Sequence, residues 1–103
     1  MTPEQVENNR KWIAALRSGK YGQTREQLRE YGTNDMCCLG VLCDVMDPSG
    51  WENSDAYSGC TSFPPTESFV EWTGFGDPSE FSALNDENEW TFHQISKYIE
   101  EKL

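Results

Sequence analysis

Basic residues are scarce in this 103-residue chain, and their placing is more uneven than their number. Lys and Arg total eight against eighteen Asp and Glu, a formal net charge of −10. Six of the eight (Arg10, Lys11, Arg17, Lys20, Arg25 and Arg29) fall within residues 1–29. From residue 30 onward only Lys97 and Lys102 face fifteen acids. A surface this negative repels free nucleic acid, so direct nucleic-acid binding is not expected. No run approaches the ~20 apolar residues of a membrane span, and residues 1–12, MTPEQVENNRKW, lack the apolar stretch of a signal peptide. The chain is therefore expected in a reducing cytoplasm, away from membranes, where structural disulfides are rare. It has one histidine, no glycine-rich phosphate loop, no nucleophile elbow and no HExxH pair. No catalytic constellation and no cofactor is expected on this reading.

What is present points to one folded domain over residues 1–103. Four Trp, five Phe and four Tyr bury large areas each, so a small core can rest on few anchors. Helix signals bracket the chain. Thr2-Pro3-Glu4-Gln5 supplies a cap, Pro at the first helical position and the Gln of a capping box. Val6, Trp12, Ile13 and Leu16 then share one face, and Ser18-Gly19 ends the helix. Thr91-Phe92-His93-Gln94 repeats the capping box, followed by Phe92, Ile95 and Ile99 as the buried stripe. A third helix follows Pro64-Pro65, carries Phe69, Val70 and Trp72, and stops at Gly74. A short one follows Asp77-Pro78-Ser79-Glu80, with Asp77 as cap and Glu80 as its reply. Residues 47–63 are turn-rich and irregular, and Gln27–Arg29 can pair with Asp35–Cys37 as a small hairpin. The predicted fold is mostly α, a small α or α+β domain of four to five short helices around a central one.

That central segment, MCCLGVLC at 36–43, holds three of the four cysteines. As a helix over 36–46 it is apolar around nearly its whole circumference, the mark of a buried helix. Free Cys in such a place is a small hydrophobe, and Gly40 lets a neighbour approach closely. Relative to Cys38, Cys43 lies about 140° around the axis, and relative to Cys37 about 120° the other way. The sulfurs then cannot converge on one ion, and the spacing misses the short C-x-x-C turn of structural zinc sites. Two alternatives stay open: a metal set of Cys37, Cys38, Cys43, Cys60 and His93, were 37–43 a loop, and a reactive or redox thiol. Asn85–Glu89 has no Gly at the sixth position of a calcium loop, so it reads as a turn.

Two binding surfaces follow from charge and aromatics. The first is acidic and would meet a basic protein: Asp47, Glu52 and Asp55 with Trp51 and Tyr57 as exposed anchors, and Asp86, Glu87 and Glu89. The second is an anion site for a small molecule such as a nucleotide, built from Arg10, Lys11, Arg17 and Lys20 beside Trp12 and Tyr21, with Arg25. The solvated face of an amphipathic helix is the plainer account of those cations.

The order of signals also carries a resemblance. Lys11-Trp12-Ile13, Ala15-Leu16-Arg17-Ser18-Gly19 and Tyr21 lead to Cys37-Cys38-Leu39-Gly40-Val41-Leu42-Cys43-Asp44, then to Trp72, Gly74 and Leu84-Asn85-Asp86. This resembles a family of small uncharacterised proteins of tailed bacteriophages and prophages, over almost the whole chain. Such proteins usually have Leu-Pro before the third helix, where this chain has Phe63-Pro64-Pro65. They have a Gly in the turn after the Leu-Asn-Asp triplet, where this chain has Glu87-Asn88-Glu89. The resemblance implies a virus-encoded accessory protein that binds and redirects a host or phage protein inside the infected cell.

Overall fold

The computed structural model describes residues 1–103 and holds five helices: α1 (Pro3–Arg17), α2 (Cys38–Met46), α3 (Thr66–Thr73), α4 (Ser79–Asp86) and α5 (Phe92–Glu101), with a 3₁₀ turn at Pro48–Gly50. The fold is mostly α. Extended pairing is confined to isolated bridges, one of them antiparallel between Arg29 and Met36, where the small hairpin is expected. Met36 also bridges Gln23 in parallel, so residues 21–37 form a compact non-helical arch before α2. No helix is long and apolar enough to cross a membrane.

Both capping boxes form. The Gln5 amide donates to Thr2 Oγ1 at 3.1 Å while Gln5 Oε1 accepts from the Thr2 amide at 2.8 Å; Thr91 and Gln94 repeat the exchange at 3.2 and 2.8 Å. Each satisfies two orphan donors at once. α3 ends on Gly74 at φ +77°, a conformation only glycine adopts without strain. The start of α4 departs from expectation. The helix begins at Ser79, Asp77 Oδ1 accepts from the Ser79 amide at 2.8 Å, and Glu80 does not reach back but accepts from the Tyr98 hydroxyl.

α1 is the scaffold, packed on α5, α2 and α3; α2 packs on α4, and α4 on α5. One amide stripe on α1 does unexpected work. Gln5 Nε2 donates to the carbonyls of Val70 and Glu71, Asn8 to that of Trp72 and Asn9 to that of Thr73, at 2.9–3.3 Å. These carbonyls belong to the last turn of α3; that of Val70 also accepts from the Gly74 amide at 2.8 Å, while those of Glu71, Trp72 and Thr73 have no partner further along the helix. The 5, 8, 9 spacing puts all three amides on one face.

The core is aromatic at its centre. Trp12 lies 5.2 Å from Phe81 and 6.5 Å edge-on from Phe69, and Phe81 also meets Phe75 at 5.2 Å and Tyr98 at 6.0 Å. Offset and edge-on rings are the favoured arrangements. Val70, placed on α3 beside Phe69, faces out instead.

Candidate interaction surface

The cysteines come first, because their placing decides what chemistry the chain can offer. α2 starts two residues later than its apolar run suggests. Met36 lies in the arch, and Cys37 is the N-cap, its Sγ accepting from the Gly40 amide at 3.4 Å. Cys38 and Cys43 are fully buried and Cys37 nearly so; Cys60 is half-buried in the loop beyond α2. Burial pushes the Cys37 thiol up to about 12 and those of Cys38 and Cys43 well above the ordinary thiol range. A thiol held protonated is a poor nucleophile and a poor ligand. His93 is exposed in the first turn of α5. The set Cys37, Cys38, Cys43, Cys60 and His93 is not brought together, and no three His, Cys, Asp or Glu side chains are placed to hold a metal ion.

α2 is sealed by close approach. A Cβ on Gly40 would stand 2.9 Å from the Leu28 carbonyl carbon and nearer still to its oxygen. That same oxygen accepts from the Cys37 amide at 3.2 Å. Trp12 Nε1 donates to the Cys38 carbonyl at 2.9 Å. Asn85, wholly buried, completes the lock. Its Oδ1 accepts from the Cys38 amide at 3.2 Å and from Gln23 Nε2 at 2.8 Å, and its Nδ2 donates to the Thr24 carbonyl at 2.9 Å. The motifs KWI, CCLG and LND are therefore one packed junction in which the Trp12 and Asn85 side chains hold the Cys38 backbone. The sequence predicts a turn at Asn85; it lies instead in the last turn of α4, one residue after the buried Leu84, and that place is the signal for a junction.

Residues 47–60 carry the acidic candidates and correct one of them. Tyr57 is 2% exposed, not a surface anchor. Its hydroxyl donates to the Asp47 carbonyl at 2.7 Å, and its ring stands edge-on to Trp51 at 5.2 Å and Trp72 at 6.2 Å. The loop has few apolar residues of its own and needs this plug. Trp51 is half-buried. Its Nε1 donates to Asp44 Oδ1 at 3.2 Å, and the Arg29 guanidinium lies 4.0 Å above its ring. Asp44 also accepts from the Tyr21 hydroxyl at 2.7 Å, so one carboxylate ties the arch to the loop. Asp47 and Glu52 are exposed and Asp55 partly so. The other acidic stretch has different neighbours. Asp86 accepts from Ser82 and Asn85, while Glu87 and Glu89 stand exposed after α4.

The five cations do not form one site. Arg17 donates through Nε to Ser96 Oγ at 2.9 Å and pairs with Glu100 at 3.3 Å; Arg25 donates to the Glu89 carbonyl at 3.3 Å. Arg10 and Lys20 edge different depressions. One of these is a shallow cavity of about 400 Å³, with Lys11, Lys20 and Tyr21 around a floor of Ala14, Ala15 and Val45. Of the eighteen side-chain carboxylates, only Glu100 meets a cation within ion-pair distance.

This is a small, mostly helical domain whose motifs build its core and whose exterior is unpaired acid. The chain belongs to the family described as a domain of unknown function (DUF8296), which it matches over residues 4–75, from α1 to the end of α3. No curated protein and no solved structure matches it.

Proposed function

We propose that this protein is a non-enzymatic binding protein whose acidic exterior engages a basic face of another protein. The observation that carries the reading is the set of carboxylates left without ion-pair partners while every potential nucleophile of α2 is sealed. Unpaired charge of one sign steers and selects an oppositely charged partner more than it stabilises the fold. The resemblance to small phage proteins supports a finer form of the proposal: a phage-encoded accessory factor acting on a host or phage protein in the cytoplasm of an infected bacterium. Affinity capture from bacterial lysate tests it. The wild-type chain should retain a protein that elutes with salt. A variant with Asp47, Glu52, Asp55, Glu87 and Glu89 changed to amides should not. Equal capture by both would sink the reading.

The Lys11–Lys20 cavity supports a second reading, a small organic anion lying with its apolar body on Ala14, Ala15 and Val45. Thermal shifts separate the two. Stabilisation by a nucleoside monophosphate that disappears in Lys11→Gln/Lys20→Gln would favour the cavity.

A further inference from the structure

The aromatic rings at the surface of this molecule are not treated alike. The Trp51 ring carries the Arg29 guanidinium at 4.0 Å, and the Tyr98 ring carries the Lys102 ammonium at 4.7 Å. Tyr31 is 76% exposed, more than any other large apolar side chain, and has no cation over it. Nor can the chain readily supply one. Between Arg29 and Lys97 there is no Lys or Arg at all. Arg29 itself is used up: Nε donates to the Ser54 carbonyl, Nη2 donates to the Asn53 carbonyl at 3.0 Å, and its plane covers Trp51.

Those contacts also fix what surrounds Tyr31. The Gly32 amide donates to Ser54 Oγ at 3.4 Å, so the tip of the arch rests on residues 53–54 from both sides of Tyr31. Glu30 precedes the ring, and Glu52 and Asp55 bracket the two carbonyls that Arg29 holds. None of the three carboxylates has an ion-pair partner. The result is an exposed aromatic ring on a segment tied to residues 53–54, with three unpaired carboxylates on the residues next to it and next to that anchor.

From this we infer that Tyr31, with Glu30, Glu52 and Asp55, is the docking point for an arginine side chain of a partner protein. The inference rests on the acidic-surface reading above and names its anchor. An arginine fits better than a lysine. Its planar guanidinium stacks on an aromatic face while its edge donors reach carboxylates in a fork; an ammonium does one or the other. The geometry repeats, between two molecules, what Arg29 and Trp51 already do within one.

The test uses the full-length chain, isotope-labelled for amide NMR, titrated with hexa-arginine and hexa-lysine peptides at low and physiological salt. Shifts with hexa-arginine should concentrate on residues 30–34 and 51–55, and hexa-arginine should bind more tightly than hexa-lysine. Tyr31→Ala should weaken hexa-arginine about 5-fold, the scale of one stacked cation, and erase its advantage. The spectrum itself shows whether the variant is folded. Shifts spread evenly over the acids of α3, α4 and residues 86–89, or a Tyr31→Ala variant that keeps the preference, would overturn this docking point and leave the general acidic reading standing. Failure of both peptides to bind at low salt would remove the acidic reading and this inference with it.

Discussion

α2 and the loop that follows it are neighbours in sequence, and both are pinned by a buried junction, yet they are built by different means. In α2 the apolar side chains are contiguous, the glycine admits a backbone carbonyl, and the polar partners (Asn85, Trp12) come from distant helices. Residues 47–60 have one large buried side chain, Tyr57, wrapped by their own backbone, with Gly50 against its ring and the Asp47 carbonyl on its hydroxyl. The first is held by the whole domain. The second is a local plug whose exterior is free to carry charge. The difference teaches where function can sit: change at the α2 junction is paid in folding, and change on the loop surface alters what the molecule meets.

The largest effect that this contrast predicts is at Asn85. Asn85→Ala removes the acceptor of the Cys38 amide and the donor of the Thr24 carbonyl together. The buried Cys38 amide and the part-buried Thr24 carbonyl are left unpaired; a buried orphan costs about 1–3 kcal/mol and a part-buried one less, so a loss of about 3 kcal/mol is expected in urea unfolding. A loss under about 1 kcal/mol would mean the junction relaxes and the contrast is overdrawn.

The two glycines give a matched pair. Gly40→Ala drives a methyl into the Leu28 carbonyl, which is backbone and already bonded to Cys37. About 3 kcal/mol of overpacking strain is expected, against a gain of about 1 kcal/mol in helix propensity. Gly50→Ala meets only the Tyr57 ring, closest at Cζ; that ring is buried and hydrogen-bonded, but it is side chain rather than backbone and yields more cheaply, and about 1 kcal/mol is expected. Equal losses would say that the plug is as rigid as α2.

Thiol chemistry reads the same contrast as a rate. Cys60 should react with an alkylating reagent first under native conditions. Cys37, Cys38 and Cys43 should follow only as fast as the domain unfolds. Prompt reaction of any α2 thiol would reopen the case for chemistry. Alkali should act on both regions. Burial raises Cys37 from 9.0 to about 12 and Tyr57 and Tyr21 from 10.0 to about 12, with the Asp44 hydrogen bond adding to the shift at Tyr21. Each group keeps its proton more firmly when folded. The stabilisation is complete below the unfolded value and is lost as pH climbs through the folded one. Denaturant midpoints should therefore fall between about pH 9 and 12, and Tyr57→Phe should flatten part of that slope.

Much of this architecture is legible in the residues, for a physical reason. Capping boxes, a proline at the first turn and an apolar circumference are local rules, and they place α1, α5 and the core of α2 to within two residues. What the sequence hides depends on tertiary placing rather than on local rules. Nothing near Asn8 and Asn9 says that their amides will finish α3, and nothing near Tyr57 says that its ring will face inward. A tyrosine between serine and alanine in an acidic loop reads as a surface anchor; only the tertiary placing of Trp51, Trp72 and Gly50 makes it core. The turn after Asp86 belongs to the same class. Glu89 takes φ +54°, a left-handed conformation that costs a non-glycine residue about 1 kcal/mol.

The smallest effect is the most discriminating. Glu52→Gln and Asp55→Asn, alone and together, remove charge from a surface that has an excess of it and break no ion pair. Stability should stay within about 0.5 kcal/mol of wild type, as for surface changes away from structural features, with any shift toward greater stability as self-repulsion eases. Binding of an arginine peptide should weaken at the same time, and the loss should shrink as salt is raised. A double variant that loses stability would place these carboxylates in the fold rather than on its working surface. The loop would then belong with α2, as structure, and the acidic exterior would have to act through residues 86–89 alone.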